Sequence, residues 1–256
     1  LPDGKSFAYC CRKKVGKDYA LSTNTDIYQY TIQSGECKNL TEGMMGYDLN
    51  PVISPDGRYM AWESMERDGY ESDKQRLFVM DLLLGEKTDF SAKFDQCCTG
   101  FSWADDSKML YFISDAYATD QIYALNLENG EIKKLTTGKH NYVSVHYNGE
   151  KLIAGRQSMS HPTELFAVSP TTGEATQITH INDNIFAQLT MGEVKERWVK
   201  TTDGKDMLVW VIYPPHFDAN KQYPALLYCE GGPQSTVSQF WSYRWNFQMM
   251  AANDYI

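Results

Sequence analysis

The sequence predicts a mainly β fold, a run of β-propeller blades followed by a stretch of α/β architecture, and three observations carry that prediction. A pattern of turn, two strands, second turn and short last strand recurs four times before residue 180. Aromatic side chains make up 13% of the 256 residues, led by 17 Tyr and 11 Phe, and such rings fit the pleated, half-buried surface of a strand. After residue 180 the period stops, and a strand, a glycine turn and a helical spacing take its place.

The repeats open on Pro2-Asp3-Gly4-Lys5, Pro55-Asp56-Gly57-Arg58, Asp105-Asp106-Ser107-Lys108 and Asn148-Gly149-Glu150-Lys151. Their second turns, Gly35-Glu36, Gly85-Glu86, Gly130-Glu131 and Gly173-Glu174, are 50, 45 and 43 residues apart, the spacing of a four-stranded blade. Asp-Gly and Asn-Gly supply the positive φ that a tight hairpin needs, so each marks a reversal between neighbouring strands. In the third repeat the strands read Cys98–Trp103, Lys108–Ser114, Gln121–Leu127 and Ile132–Thr136. Leu40-Thr41, Leu135-Thr136 and Ile178-Thr179 close three repeats alike, whereas Asp89-Phe90 in the second departs. We therefore expect four consecutive four-stranded sheets around an axis, four repeats of a larger ring, with the first repeat lacking its opening strand. The charged insertion Met65–Gln75 reads as a solvated tip or as a surface facing a second domain.

Three divisions follow: blades over 1–180, a linker over 181–192, and a second domain over 193–256. The second domain opens with a hairpin, Val194–Thr201 and Asp206–Tyr213 around Asp203-Gly204. Pro214, Pro215 and Pro224 then lead to a strand of buried character, Ala225–Cys229, which runs into Glu230-Gly231-Gly232-Pro233. Phe240, Tyr243, Phe247 and Met250 recur at helical steps, with Ser238 as the expected N-cap. Strand, turn, helix and the next strand at Tyr255-Ile256 make a βαβ unit.

A formal net charge of −9 leaves no basic excess to neutralise phosphates, which argues against nucleic acid as a partner. No apolar run approaches the ~20 residues of a membrane span, so no membrane insertion is expected. Leu1-Pro2-Asp3-Gly4 is a turn rather than a leader, and both ends read as cut. The six cysteines, Cys10, Cys11, Cys37, Cys97, Cys98 and Cys229, contain no C-x-x-C, and no metal or cofactor is expected. Adjacent cysteines on a strand point to opposite faces, so each pair reads as two small hydrophobes.

With Ser54-Pro55-Asp56-Gly57-Arg58 repeats upstream of Tyr223-Pro224-Ala225-Leu226-Leu227-Tyr228-Cys229-Glu230-Gly231-Gly232-Pro233, the chain resembles the prolyl oligopeptidase clan of serine peptidases over its whole length. Ser64–Asp73 and Gly231–Ser235 are similar to the acylaminoacyl peptidase and dipeptidyl peptidase V branch. The resemblance implies an α/β-hydrolase domain from residue 193 onward and a Ser, Asp, His triad covered by the propeller. It also implies short peptides as substrates, trimmed from their N-termini as dipeptides or acylated residues. It favours the periplasm or secretion while leaving the cytoplasm open, and leaves an oligomer open for the full-length protein. None of the 256 residues forms G-x-S-x-G; Gly4-Lys5-Ser6-Phe7-Ala8 fails at its last position. The stretch by itself is expected to be inactive, and its five histidines are expected to be structural or exposed.

What the resemblance carries over is half of an oxyanion hole, with Gly231 or Gly232 giving a backbone N–H to the developing negative charge. Glu230 stands where several relatives hold a donor side chain, and an ionised carboxylate cannot donate. It either attracts a substrate amine or pairs with a cation such as Arg244. Trp241, Tyr243 and Trp245 either line a substrate pocket or pack the helix on the propeller. The competing readings are a propeller binding module and an inactive hydrolase homologue.

Overall fold

The computed structural model describes residues 1–229, 231 and 235–256. Strands make up 39% of it and helices 6%. Sheet one holds β1 (Ser6–Cys11), β2 (Asp26–Thr31) and β3 (Cys37–Asn39), with a short helix α1 (Lys17–Leu21) in its first connection. Sheet two holds β4 (Asp48–Ile53), β5 (Tyr59–Ser64), β6 (Arg76–Asp81) and β7 (Lys87–Asp89). Sheet three holds β8 (Thr99–Trp103), β9 (Met109–Asp115), β10 (Asp120–Asn126) and β11 (Ile132–Lys134). Sheet four holds β12 (Asn141–Tyr147), β13 (Leu152–Ser158), β14 (His161–Val168) and β15 (Ala175–Gln177). All four are antiparallel with strands in sequence order, the arrangement of successive propeller blades. The first has three strands rather than four, since the sequence enters that repeat at its turn.

The repeats are held by recurring backbone chemistry. At the second turn Gly35, Gly85, Gly130 and Gly173 take φ of 71°, 77°, 72° and 74°, and each N–H donates to the carbonyl four residues back. At the opening turn of repeat three Ser107 takes φ 59°, where the other repeats use glycine. It is kept there by burial and by its Oγ, which accepts from Asp56 N at 3.2 Å in the turn of the preceding sheet.

Each repeat closes on a hydroxyl that accepts from a backbone N–H of its last strand but one. Thr41, Ser91, Thr136 and Thr179 accept from the N–H groups of Ile27, Leu77, Ile122 and Leu165 at 2.9, 2.9, 2.9 and 2.8 Å. The second repeat is therefore regular: its closing pair is Phe90-Ser91, not Asp89-Phe90, and Phe90 N bonds Leu77 O as Leu40 N bonds Ile27 O. The expectation erred by one residue because Phe-Ser and Leu-Thr differ in type but not in the groups they present.

Three apolar layers lie between successive sheets. Ile27, Met60 and Trp62 fill the first, Leu77, Leu110 and Phe112 the second, and Ile122, Tyr142 and Leu152 the third. Full burial of such a side chain contributes roughly 1.5–3 kcal/mol. Trp103 Nε1 donates to Val52 O at 3.0 Å and Tyr147 N to Ser102 Oγ at 2.9 Å, bonding adjacent sheets along their inner strands. The insertion at Met65–Gln75 is exposed but anchored: Asp68 accepts from Ser22 Oγ and Thr23 N, each at 2.7 Å.

Beyond sheet four come α2 (Asp183–Phe186) and a separate hairpin of β16 (Val194–Lys200) and β17 (Asp206–Ile212). Residues 225–229 correct the expectation of a buried strand, because they are extended but exposed, Leu227 by 83%. Ile256 N donates to Pro224 O and Leu226 N to Ile256 O, at 2.9 and 2.7 Å, the slanted pair of a parallel contact. A strand buried on both faces needs helices over both, and among the described residues Ile256 is its one strand-like neighbour. The expected helix is also shorter. It is α3 (Phe247–Ala251), and its cap is Asn246, whose side chain accepts from Met249 N at 3.0 Å. Ser238 is not an N-cap, because its hydroxyl is engaged by the propeller.

Candidate active site

Residues 235–248 follow the glycine turn, and polar side chains from the rims of sheets three and four hold them in place. Asn141, at the start of β12, donates from Nδ2 to Ser238 Oγ at 2.7 Å, while its Oδ1 accepts from Gln239 N at 3.2 Å and Asp120 N at 3.0 Å. Ser238 Oγ in turn faces Asp120 Oδ2 at 3.5 Å. Gln239 Oε1 accepts from Met159 N at 3.3 Å, in the turn between β13 and β14. Gln248 of α3 reaches the same turn, donating to Ser160 Oγ at 3.0 Å. Asn141, Gln239 and Gln248 are all buried, so these bonds are shielded from water.

Burial, reinforced by the charge of Asp115, pushes Asp120 up to about 6, while Ser238 opposes the shift. Gln239 Nε2 and Trp241 Nε1 are buried donors with no acceptor among the described residues.

Gly231 lies in this setting, and Glu230 and Gly232 lie outside the described residues. Gly231 is exposed, and a Cβ added there would meet nothing within 4 Å among the described residues. Trp241 is turned toward the linker, its ring edge-on to Phe186 at 5.7 Å, and Phe186 lies tilted against the His161 ring of β14 with centroids 4.5 Å apart. Arg244 is exposed and lies over the Trp245 ring at 5.2 Å. Of the expected trio Glu230, Trp241 and Arg244, the described residues thus show a tryptophan against the linker and an arginine over the Trp245 ring.

One group of side chains has the spacing for a cation: single ligand atoms of His161, Glu164 and Asp183 lie within 4.8 Å of one another. Its carboxylates are already engaged. Glu164 accepts from Asn182 N, Asn182 Nδ2 and Thr179 Oγ1, and Asp183 faces His180 Nδ1 at 2.8 Å. All six cysteines are free thiols; Cys98 is buried, and Cys37 lies exposed beside Tyr9 and Lys13.

The docking residues Asp120, Asn141, Met159, Ser160, Gln239 and Gln248 were not legible as functional in the sequence. Their partners lie between 56 and 118 residues away, and each is an ordinary polar residue in its local context.

No family model matches the sequence. Along its whole length it is 49% identical over 255 residues to the dipeptidyl-peptidase 5 of Porphyromonas gingivalis, and 52% to that of Porphyromonas endodontalis. Acylaminoacyl peptidases share its fold. That of Pyrococcus horikoshii superposes with a TM-score of 0.78 at 22% identity, and one in complex with Z-Gly-Gly-Phe-chloromethyl ketone with 0.79. Both matches cover 98% of this chain.

The chain is thus similar to the acylaminoacyl peptidase and dipeptidyl-peptidase 5 branch of the prolyl oligopeptidase clan. It spans 37% of the length of these relatives and of the matched structures. The four antiparallel sheets fit the propeller part of that fold.

Proposed function

We propose that this chain is part of a serine peptidase that trims short peptides from their N-termini, releasing dipeptides or acylated residues. Its own contribution is the propeller rim and one half of the oxyanion hole. The observation that carries the reading is Gly231. It sits directly after an extended segment, on a stretch bonded to the propeller rim, with open space where a side chain would be. A backbone N–H there, or at Gly232, can approach a tetrahedral intermediate as charge develops on its oxygen. Pro233 offers no competing N–H.

The chemistry needs a nucleophile to attack the carbonyl carbon, and these 256 residues contain no G-x-S-x-G. In this reading the isolated stretch does not turn over peptides. Glu230 supplies attraction for a substrate amine, which acts on binding more than on the chemical step.

The test is hydrolysis of dipeptidyl and acylaminoacyl chromogenic substrates by the full-length protein, with and without a serine-directed phosphonate. Turnover abolished by the phosphonate is the expected result. Absence of turnover from folded full-length protein, or turnover by residues 1–256 alone, overturns the assignment.

A further inference from the structure

A cavity of about 250 Å³ opens on sheet four, lined by β13, β14 and β15 and by Lys139 and His140 of the connection that enters the sheet. Its principal charged side chain is Arg156 of β13. The guanidinium carbon lies 3.5 Å from the centre of the Phe166 ring, which fixes the plane of the fork.

Among the described residues no carboxylate pairs with Arg156. Glu164 is directly opposite it in the β13–β14 ladder, yet its carboxylate is turned to Thr179 and Asn182. Lys139, at the mouth, is drawn to Glu196 at 3.4 Å. His140 stays neutral: burial first, and the charge of Arg156 second, hold it down to about 4. Its Nε2 is buried with no partner among the described residues. The cavity therefore presents one oriented guanidinium beside neutral polar groups, with its nearest carboxylate already saturated.

Such a fork matches a carboxylate in a two-bond, coplanar pair, strengthened by partial exclusion of water. The wall of the cavity also connects to the candidate site, since His161 lines it and touches Phe186, which meets Trp241 edge-on.

We propose that this cavity is a carboxylate-binding pocket for a peptide ligand, with Arg156 as the recognising residue. The inference rests on the peptide reading for the identity of the ligand, but binding there requires no turnover.

The experiment is calorimetric titration of full-length protein with dipeptides and dipeptide amides, after treatment with the serine-directed phosphonate so that no amide is hydrolysed during the titration. Ala-Phe is compared with Ala-Phe-amide to probe the terminal carboxylate, and Ala-Glu-amide with Ala-Gln-amide to probe a side-chain carboxylate. In at least one pair the acid should bind roughly tenfold tighter or more. That gap should fall below about twofold in Arg156→Gln and be only partly kept in Arg156→Lys, which retains charge but loses the fork. Which pair shows the gap identifies the source of the carboxylate. An Arg156-dependent gap in a protein without peptidase activity upholds the pocket while removing the peptidase reading. No gap in either pair, or a gap that survives in an Arg156→Gln protein of unchanged melting temperature, overturns the proposal.

Discussion

The side-chain amide of Gln248 closes on the backbone of Gly192 from both sides, accepting from its N–H at 2.7 Å and donating to its carbonyl at 3.0 Å. Gln248 belongs to α3 and Gly192 precedes β16, while Ser160 of the propeller takes the same Nε2 at 3.0 Å. Three parts of the chain thus meet on one buried carboxamide. A Cβ at Gly192 would lie 1.9 Å from Tyr213 O, so no other residue fits without moving the hairpin.

Gly192→Ala and Gln248→Leu should therefore loosen the docking of the glycine-turn segment while leaving the sheets intact. The expected cost is about 2–3 kcal/mol each, from a steric clash in one and unpaired buried groups in the other. Hydrogen exchange should quicken across 238–251 and remain slow in β9 and β10. Unchanged protection at 238–251 in both variants would show that this junction does not hold the segment.

The closing hydroxyls make a second test. Thr136 accepts from Ile122 N and donates to Gln121 Oε1 at 2.9 Å, all three residues being buried. Thr136→Val preserves shape and leaves both partners unsatisfied, which should destabilise the protein by about 1–3 kcal/mol in urea unfolding. Thr136→Ser should keep most of the loss from appearing. Equal stability of the Val and Ser variants would contradict the capping role.

The division between what was legible and what was not follows from the range of the interactions involved. Blade boundaries could be read because Gly35, Gly85, Gly130 and Gly173 impose positive φ locally, and a local constraint repeats in the sequence. The turn at Ser107 and the close at Phe90-Ser91 were harder, because a serine there does the work of glycine or threonine only through its neighbours. The helix was placed too early because Phe240 and Tyr243 mimic its period, whereas residues 238–241 are fixed by Asn141 and Met159 from the propeller. Gly231 stood out in the sequence by its place after Ala225–Cys229, and Arg156 was not singled out at all. Its isolation from carboxylates depends on the distant turn of Glu164 toward Thr179 and Asn182.

Asp120 gives the fold a pH signature. Its folded-state pKa of about 6 is above the ~3.9 of an unfolded aspartate, so the folded state holds the proton more tightly. Its contribution is most favourable below about pH 4 and is lost as pH rises toward 6. Asp48, also raised to about 6 by burial, acts in the same window, while His140, held down to about 4, acts oppositely. Comparing Asp120→Asn with wild type cancels the other two. The variant's relative stability should increase by about 2 kcal/mol between pH 4 and pH 7. A difference that stays constant with pH would mean that Asp120 is not perturbed in the folded protein.

The peptide N–H groups at Gly231 and Gly232 carry the proposed catalytic role, and steady-state kinetics of full-length Gly232→Val, with Gly231→Ala as the milder companion, address them most directly. Loss of a donor used mainly in the transition state lowers kcat far more than it raises KM, and the expected loss for Gly232→Val is ~10²–10³ in kcat. Glu230→Gln, by contrast, should act chiefly on KM. A folded Gly232→Val protein with kcat close to wild type would contradict the oxyanion assignment.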